Sequence, residues 1–128
     1  MDHKLIDERS RQMHVLIAER LRRDPSLLAR AKENLARWRL TSSADVYRTL
    51  DEWECLLNGD FDHLLSVLVS TDEQATRLRQ SSPFAGPQFI SEAERLEFIG
   101  RFQRRAQFAK FASPQTYISG TTALSQRR

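Results

Sequence analysis

The chain has 128 residues, of which 40% are hydrophobic and 29% are charged, a balance typical of one globular domain and not of a disordered chain. No apolar run approaches the ~18 residues of a membrane span, and the charged N-terminus lacks a signal-peptide pattern. The single cysteine, Cys55, excludes an internal disulfide and a metal site built from several thiolates of this chain. We therefore expect a cytoplasmic protein.

The net charge of +3 is distributed unevenly along the chain. Residues 1–40 carry ten Lys or Arg and six Asp or Glu, residues 41–75 carry one and eight, and residues 76–128 carry nine and three. In one interpretation the acidic middle lies against the basic flanks and neutralises them. In the other, one basic face stays open for nucleic acid or for an acidic protein surface.

Helical periodicity runs through the chain, and no stretch alternates as a strand would. The first predicted helix spans about residues 4–22, with Arg9 and Arg20 inside its apolar stripe, where their aliphatic stems would cover the core. Asp24 and Pro25 mark the start of a second helix, which runs to about residue 39. The inward stripe of this second helix is Leu27, Leu28, Ala31, Leu35 and Trp38.

Four more helices are predicted after the second. Ser42 or Ser43 caps the third, which ends at Asn58-Gly59, and Asp60 caps a short fourth. Thr71 opens a fifth helix that ends near residue 80. Ser91 and Glu94 form a capping box that starts the sixth. The third helix directs four residues inward: Val46, Leu50, Trp53 and Leu57.

Residues 81–87 contain two prolines and a glycine, so they form a stiff loop. We expect Phe84 to point inward from this loop, because a loop between packed helices needs an apolar tether. The chain is thus predicted to be all-α, a compact bundle of about six short helices over residues 1–112, with Trp38 and Trp53 at the centre of its core. Residues 113–128 lack periodicity and are predicted to form a flexible tail.

Catalytic templates are absent from the sequence. There is no glycine-rich phosphate loop and no Gly-x-Ser-x-Gly motif, and the three histidines lack the spacing of zinc ligands. The cluster of Asp60, Asp62 and His63 is explained by capping of a helix N-terminus. Cys55 stands among carboxylates, which disfavour a thiolate. We expect no enzyme activity, no cofactor and no metal.

The sixth helix combines basic and aromatic residues. At 100° per residue one broad side is apolar, and Arg101, Arg104 and Arg105 cluster opposite this side or at its edge. Phe108 and Phe111 project toward the arginines. Such a surface is typical of protein interfaces and of stacking surfaces for single-stranded nucleic acid. Alternatively, both rings fold into the core. The apolar side consists of Leu96, Phe98, Ile99, Phe102, Ala106 and Ala109.

Residues 79–86 read Arg-Gln-Ser-Ser-Pro-Phe-Ala-Gly, after a charged helix and before a capped one. With Leu-Ala-Arg-Trp at 35–38 and Glu-Trp-Glu at 52–54, this segment resembles a motif of small bacterial antitoxin-like proteins, which are thought to be encoded beside a nucleotidyltransferase-like toxin. The likeness covers roughly residues 8–102. It implies a helical partner-binding protein with Arg79, Ser82 and Phe84 in its interface, and it carries over no catalytic residue.

The leading functional hypothesis is therefore an antitoxin-like regulatory subunit that neutralises a cognate protein by occluding its active site. Its partner-facing surface would consist of Arg101, Arg104, Arg105, Phe108 and Phe111, covered by the cognate protein or by a second copy of this chain. The alternative is a nucleic-acid-binding protein, either an operon repressor or an RNA binder. An enzyme of unfamiliar type is the third. The acidic third helix would repel phosphate, which argues against a helix-turn-helix.

Overall fold

Residues 3–111 are described by the computed structural model, and for 108–111 the description covers the backbone alone. No strand occurs within residues 3–111, so the predicted all-α bundle of about six short helices is confirmed. The predicted tail at 113–128 lies outside the described residues. The helices are α1 (His3–Arg23), α2 (Leu28–Thr41), α3 (Tyr47–Asn58), α4 (Phe61–Val69), α5 (Glu73–Arg79) and α6 (Glu92–Phe111).

Three of the other helices pack directly against α1. This helix contacts α4, α5 and α6, while α2 packs on α3, and α4 joins α3 to α5. None of the described helices has the length and apolar character needed to cross a membrane.

Trp53 lies at the centre of the core. Its side chain is fully buried, its Nε1–H donates to the carbonyl of Leu78 at 3.1 Å, and its ring meets the ring of Phe84 edge-on with centroids 6.0 Å apart. Trp38 is only half-buried and packs against the edge of the same cluster. The prediction of two tryptophans at the centre of the core is therefore confirmed for Trp53 and wrong for Trp38.

Most of the predicted helix starts are formed by the expected side chains. A single turn of 3₁₀ helix, Pro25–Leu27, leads into α2, and Asp24 accepts from the backbone N–H of Ser26 at 3.2 Å. Asp60 caps α4 by accepting from the N–H of His63 at 2.9 Å. At α6, Ser91 and Glu94 each accept the other's backbone N–H, at 3.1 and 2.9 Å, so the predicted capping box is confirmed.

Two helix starts differ from the prediction. Asp72, not Thr71, caps α5 by accepting from the N–H of Ala75 at 2.8 Å. Neither Ser42 nor Ser43 caps α3, because a second 3₁₀ turn, Ala44–Val46, intervenes between Ser43 and the helix.

Two residues predicted to face inward are exposed. Val46 lies in the 3₁₀ turn that precedes α3, where the helical phase no longer applies, and 38% of it is exposed. Leu96 is 54% exposed. The described part of α6 packs chiefly against α1 and buries a narrow stripe centred on Phe98 and Phe102. Since Leu96 lies ~200° around the helix from Phe98, it cannot share that stripe.

Candidate functional site

Three arginines on α6 form an exposed surface that we call the arginine ridge: Arg101, Arg104 and Arg105. The guanidinium of Arg101 lies 4.9 Å from the ring centroid of Phe98, and that of Arg105 lies 4.6 Å from the ring centroid of Phe102. Both arginines are three residues after the ring they cover, a spacing that makes helix side chains neighbours. The stacking holds two of the three charges in place on the helix surface.

The arginine ridge is not neutralised by carboxylates in the described part of the chain. None of its three guanidinium groups forms an ion pair there. The ridge has an electrostatic effect on Glu8 of α1. Hydrogen bonds from Arg11 and Gln12 lower the pKa of Glu8 to about 2, and the charge of Arg105 adds to this effect. The carboxylate of Glu8 is thus already engaged by Arg11 and Gln12, and it forms no ion pair with the ridge among the described residues.

The three carboxylates of α3, which belong to the acidic middle of the chain, are paired with arginines from outside this segment. Arg39 at the end of α2 donates to Asp51 and Glu54 of α3, both at 2.6 Å. Arg77 of α5 donates to Glu52 of α3 at 2.8 Å. The two interpretations of the charge distribution therefore apply to different surfaces: α3 is paired with basic flanks, whereas the arginine ridge is unpaired within the described residues.

Two aromatic residues were predicted to share this surface. The backbone of α6 continues through Phe111, but the side chains of Phe108 and Phe111 lie outside the described residues. Their role at the ridge stays a prediction.

Arg79 does not present its side chain on an open surface. It is 5% exposed, and its Nη1 donates to the carbonyls of Val67 and Leu68, at 3.1 and 3.2 Å, in the last turn of α4. Arg11 donates to the next carbonyl, of Val69, at 3.2 Å. A helix leaves its last four carbonyls without intrahelical partners, and these two arginines supply partners for three of them. The predicted role of Arg79 in an interface stays a prediction.

Phe84 points into the core, as the prediction of an inward tether requires. It is 4% exposed, and its ring lies edge-on between Trp53 and Phe89, with the Phe89 centroid 5.4 Å away. It is therefore not an exposed anchor for a partner. Asn34 of α2 also holds this loop, because its Nδ2 donates to the carbonyls of Pro83 at 2.9 Å and Ala85 at 3.2 Å.

Ser82 forms a part-buried chain of hydrogen bonds with α1. Nδ1 of His14 lies 2.7 Å from the carbonyl oxygen of Ser10, and Nε2 lies 2.8 Å from Oγ of Ser82. A carbonyl can only accept, so Nδ1 carries the proton and Nε2 accepts from the Ser82 hydroxyl. Oγ of Ser82 in turn accepts from the N–H of Phe84 at 3.1 Å.

Ser82 and His14 are as close as a nucleophile and its general base. The pKa of His14, however, is unsuitable for a general base. Burial, assisted by the charge of Arg79 and opposed by the hydrogen bond to Ser10, lowers the pKa of His14 to about 4. General bases work best with a pKa near the operating pH, so this imidazole is a weak proton acceptor. We interpret the pair as a tether between α1 and the loop.

The loop does border one sizeable depression. A groove of about 500 Å³ separates α1 from the segment that joins α5 to α6 and from the start of α6. Arg79, Ser82 and Phe84 are among its lining residues. The three loop residues that were predicted to lie in an interface therefore all border this groove. Within the described residues, no group of three or more His, Cys, Asp or Glu is arranged to hold a metal ion.

Sequence reasoning missed His14 and Asn34, the two buried polar residues that hold the loop. A signal for Asn34 was present, because it falls within the apolar stripe of α2 between Ala31 and Trp38. A polar residue inside such a stripe predicts a buried hydrogen bond. The identity of the partner atoms was not predictable, since they lie 49 and 51 positions away in the chain.

Comparisons with known proteins add no assignment. No family model, no curated protein and no solved structure matches this chain. The antitoxin-like resemblance therefore stays a hypothesis.

Proposed function

We propose that this protein is an antitoxin-like regulatory subunit that binds a cognate protein and neutralises it, and that the arginine ridge is the contact surface. The observation that supports it is the combination of three exposed guanidinium groups with no ion pair among the described residues and two buried rings beneath them. Arginine is enriched at the centres of interfaces, and a stacked guanidinium loses less side-chain freedom on binding than a free one. The partner surface should be acidic.

The sequence extends this surface toward Phe108 and Phe111, whose rings would supply its apolar part. We propose the product of the adjacent gene, a nucleotidyltransferase-like toxin, as the cognate protein. Binding would act by covering the partner's active site, and it requires no chemistry from this chain.

Co-expression tests this proposal. The wild-type chain should restore growth to cells that express the adjacent gene product and should co-elute with it on size-exclusion chromatography. Replacing Arg101, Arg104 and Arg105 together by glutamate should abolish both effects. Replacement by lysine should retain part of the binding, because the charge remains while the stacking is weakened.

The matched control replaces three other exposed arginines, Arg22, Arg23 and Arg48, by glutamate, so that the change in net charge is the same. This control should still restore growth. If the ridge variant folds and neutralises as well as wild type, the ridge is not the interface.

Nucleic acid is the second candidate, because the same unpaired arginines suit phosphate. It predicts binding of the operon's own DNA or of RNA, with an affinity that falls steeply with salt. If the ridge variant loses nucleic-acid binding but retains neutralisation, the ridge belongs to this second function.

A further inference from the structure

The groove between α1 and the α5–α6 segment follows α1 for about three turns. One of its walls is formed by residues of α1 from Ile6 to Ile17, at every third or fourth position. At ~1.5 Å per residue these positions extend over ~16 Å. That length accommodates about five residues of extended chain, since each residue of a strand rises by ~3.3 Å. The groove is therefore long enough along α1 for a short segment of polypeptide.

The groove has an apolar lining. Met13 and Ile17 contribute from α1, and Phe84 and Ile90 contribute from the opposite side. Ile6 at one end is 36% exposed. Apolar side chains of an occupant would remove this surface from water.

The charged residues of the lining are mainly basic: three arginines and one glutamate. Arg95 is already satisfied by Glu92, at 3.0 and 2.8 Å. Arg9 makes no hydrogen bond or ion pair within the described residues. Arg79 is buried with its Nε unpartnered among the described residues and makes no ion pair there with a carboxylate. Arg9 thus offers an unpaired cation to an acidic ligand, and Arg79 adds a buried positive charge to the lining.

We propose that this groove binds a short segment of a partner protein in which an acidic residue stands beside large apolar side chains. Arg9 pairs with the carboxylate, and Met13 and Phe84 receive the apolar side chains. The inference rests on the proposed function and deepens it, because it names a second contact with the partner. It also gives the loop at 79–86 a place in an interface although Arg79 and Phe84 are buried.

A peptide selection on the purified full chain tests this inference. A phage-displayed library of random heptapeptides is panned on the wild-type protein. The enriched peptides should combine Asp or Glu with Leu, Ile, Phe or Trp. The leading peptide should bind at least tenfold more tightly than its version with Gln or Asn in place of the acidic residue. No enrichment, or enrichment of peptides without an acidic residue, would overturn the proposal.

Variants locate the binding in the groove. Arg9→Glu reverses the unpaired charge without removing an internal hydrogen bond. It should weaken the binding of the leading peptide at least tenfold. Arg22→Glu makes the same change on an exposed position of α1 outside the groove and should leave binding unchanged. Ala85→Trp fills the groove from the exposed side of the loop and should also block binding; if it fails to fold, Arg9→Glu decides. Equal binding by Arg9→Glu and Arg22→Glu would refute the groove.

Octanoate serves as the probe for a small carboxylate. If octanoate binds in an Arg9-dependent way while no peptide is selected, the groove is a small-molecule site and the proposal is wrong. All of these measurements use this chain alone, so their failure is distinguishable from failure of neutralisation by the arginine ridge.

Discussion

His14 joins α1 to a loop 68 positions away in the chain. Burying an imidazole is costly unless both nitrogens are hydrogen-bonded, and here Ser10 and Ser82 satisfy them. Burial is the main reason why the charged form is disfavoured, the positive charge of Arg79 adds to this effect, and the hydrogen bond to Ser10 opposes it. The folded protein therefore favours the neutral imidazole of His14.

This preference makes stability depend on pH in a defined window. An unfolded histidine has a pKa of 6.5, whereas burial lowers the pKa of His14 to about 4 in the folded state. Between these values the unfolded chain binds a proton that the folded chain does not. The contribution is therefore full above pH 6.5 and is lost as the pH falls toward 4, and it amounts to ~3 kcal/mol.

We expect His14→Gln to be less stable than wild type at pH 7 but to lose less stability between pH 6.5 and 4. Urea unfolding at several pH values measures this. His63→Gln removes an exposed histidine on α4 and should keep the wild-type slope. Hydrogen bonds from arginine lower the pKa values of Glu8 and Glu94 to about 2. The stability that these two carboxylates contribute is therefore lost mainly below pH 4.5, outside most of the window of His14. A wild-type slope in His14→Gln would assign the titration to another group.

At the scale of single helices, the ends are satisfied by side chains from other elements as well as by their own caps. The C-terminus of α4 receives Arg79 and Arg11. The start of α6 combines its capping box with Arg20 of α1, which donates to Glu94 at 2.8 and 2.5 Å and to the carbonyl of Phe89 at 2.6 Å. These contacts fix how α6, and with it the arginine ridge, sits on α1.

Ser91→Ala tests the start of α6. The substitution leaves the N–H of Glu94 without its partner, so it should lower the free energy of unfolding by ~1 kcal/mol. Thermal or urea unfolding gives the value. Ser43→Ala is the matched control, because Ser43 precedes a helical turn and makes no capping hydrogen bond. Equal losses in the two variants would show that capping is not what Ser91 contributes.

At the scale of the whole molecule, one apolar cluster joins residues of α1, α2, α3, α4 and α5 to the loop before α6. Trp53 is the largest fully buried side chain in it, and Phe84 and Phe89 bring the loop into the same cluster. The loop is thus part of the core, which explains why a segment with two prolines and a glycine has a defined position. Gly86 adopts φ of +110°, where a side chain would be strained.

The two tryptophans should differ sharply in their contribution to stability. Trp53→Ala removes a fully buried ring and its hydrogen bond to Leu78, so it should cost ~3–5 kcal/mol, a large part of the ~5–15 kcal/mol of a typical domain. Trp38→Ala removes a half-buried ring at the edge and should cost less than half as much. Urea unfolding of the two variants decides. A larger loss for Trp38→Ala would contradict this account of the core.

Much of the secondary structure was predictable because its signals are local. The periodicity of α2, the caps Asp24 and Asp60 and the capping box of Ser91 and Glu94 depend on residues within one turn of each other. The wrong predictions concern which face of a helix is buried. Val46 and Leu96 have apolar side chains in helical phase, but whether a face is buried depends on which neighbour covers it, and that neighbour is distant in the chain.

The sequence by itself determined the helices, their order and the outward phase of Arg101, Arg104 and Arg105, because a helix places its side chains by geometry that needs no other element. Only the tertiary structure decided that Arg79 caps another helix, that Ser82 is bound by His14, and that a groove remains beside α1. Each of these depends on atoms brought together from separate helices, where the burial of polar groups makes one particular pairing favourable and the alternatives costly.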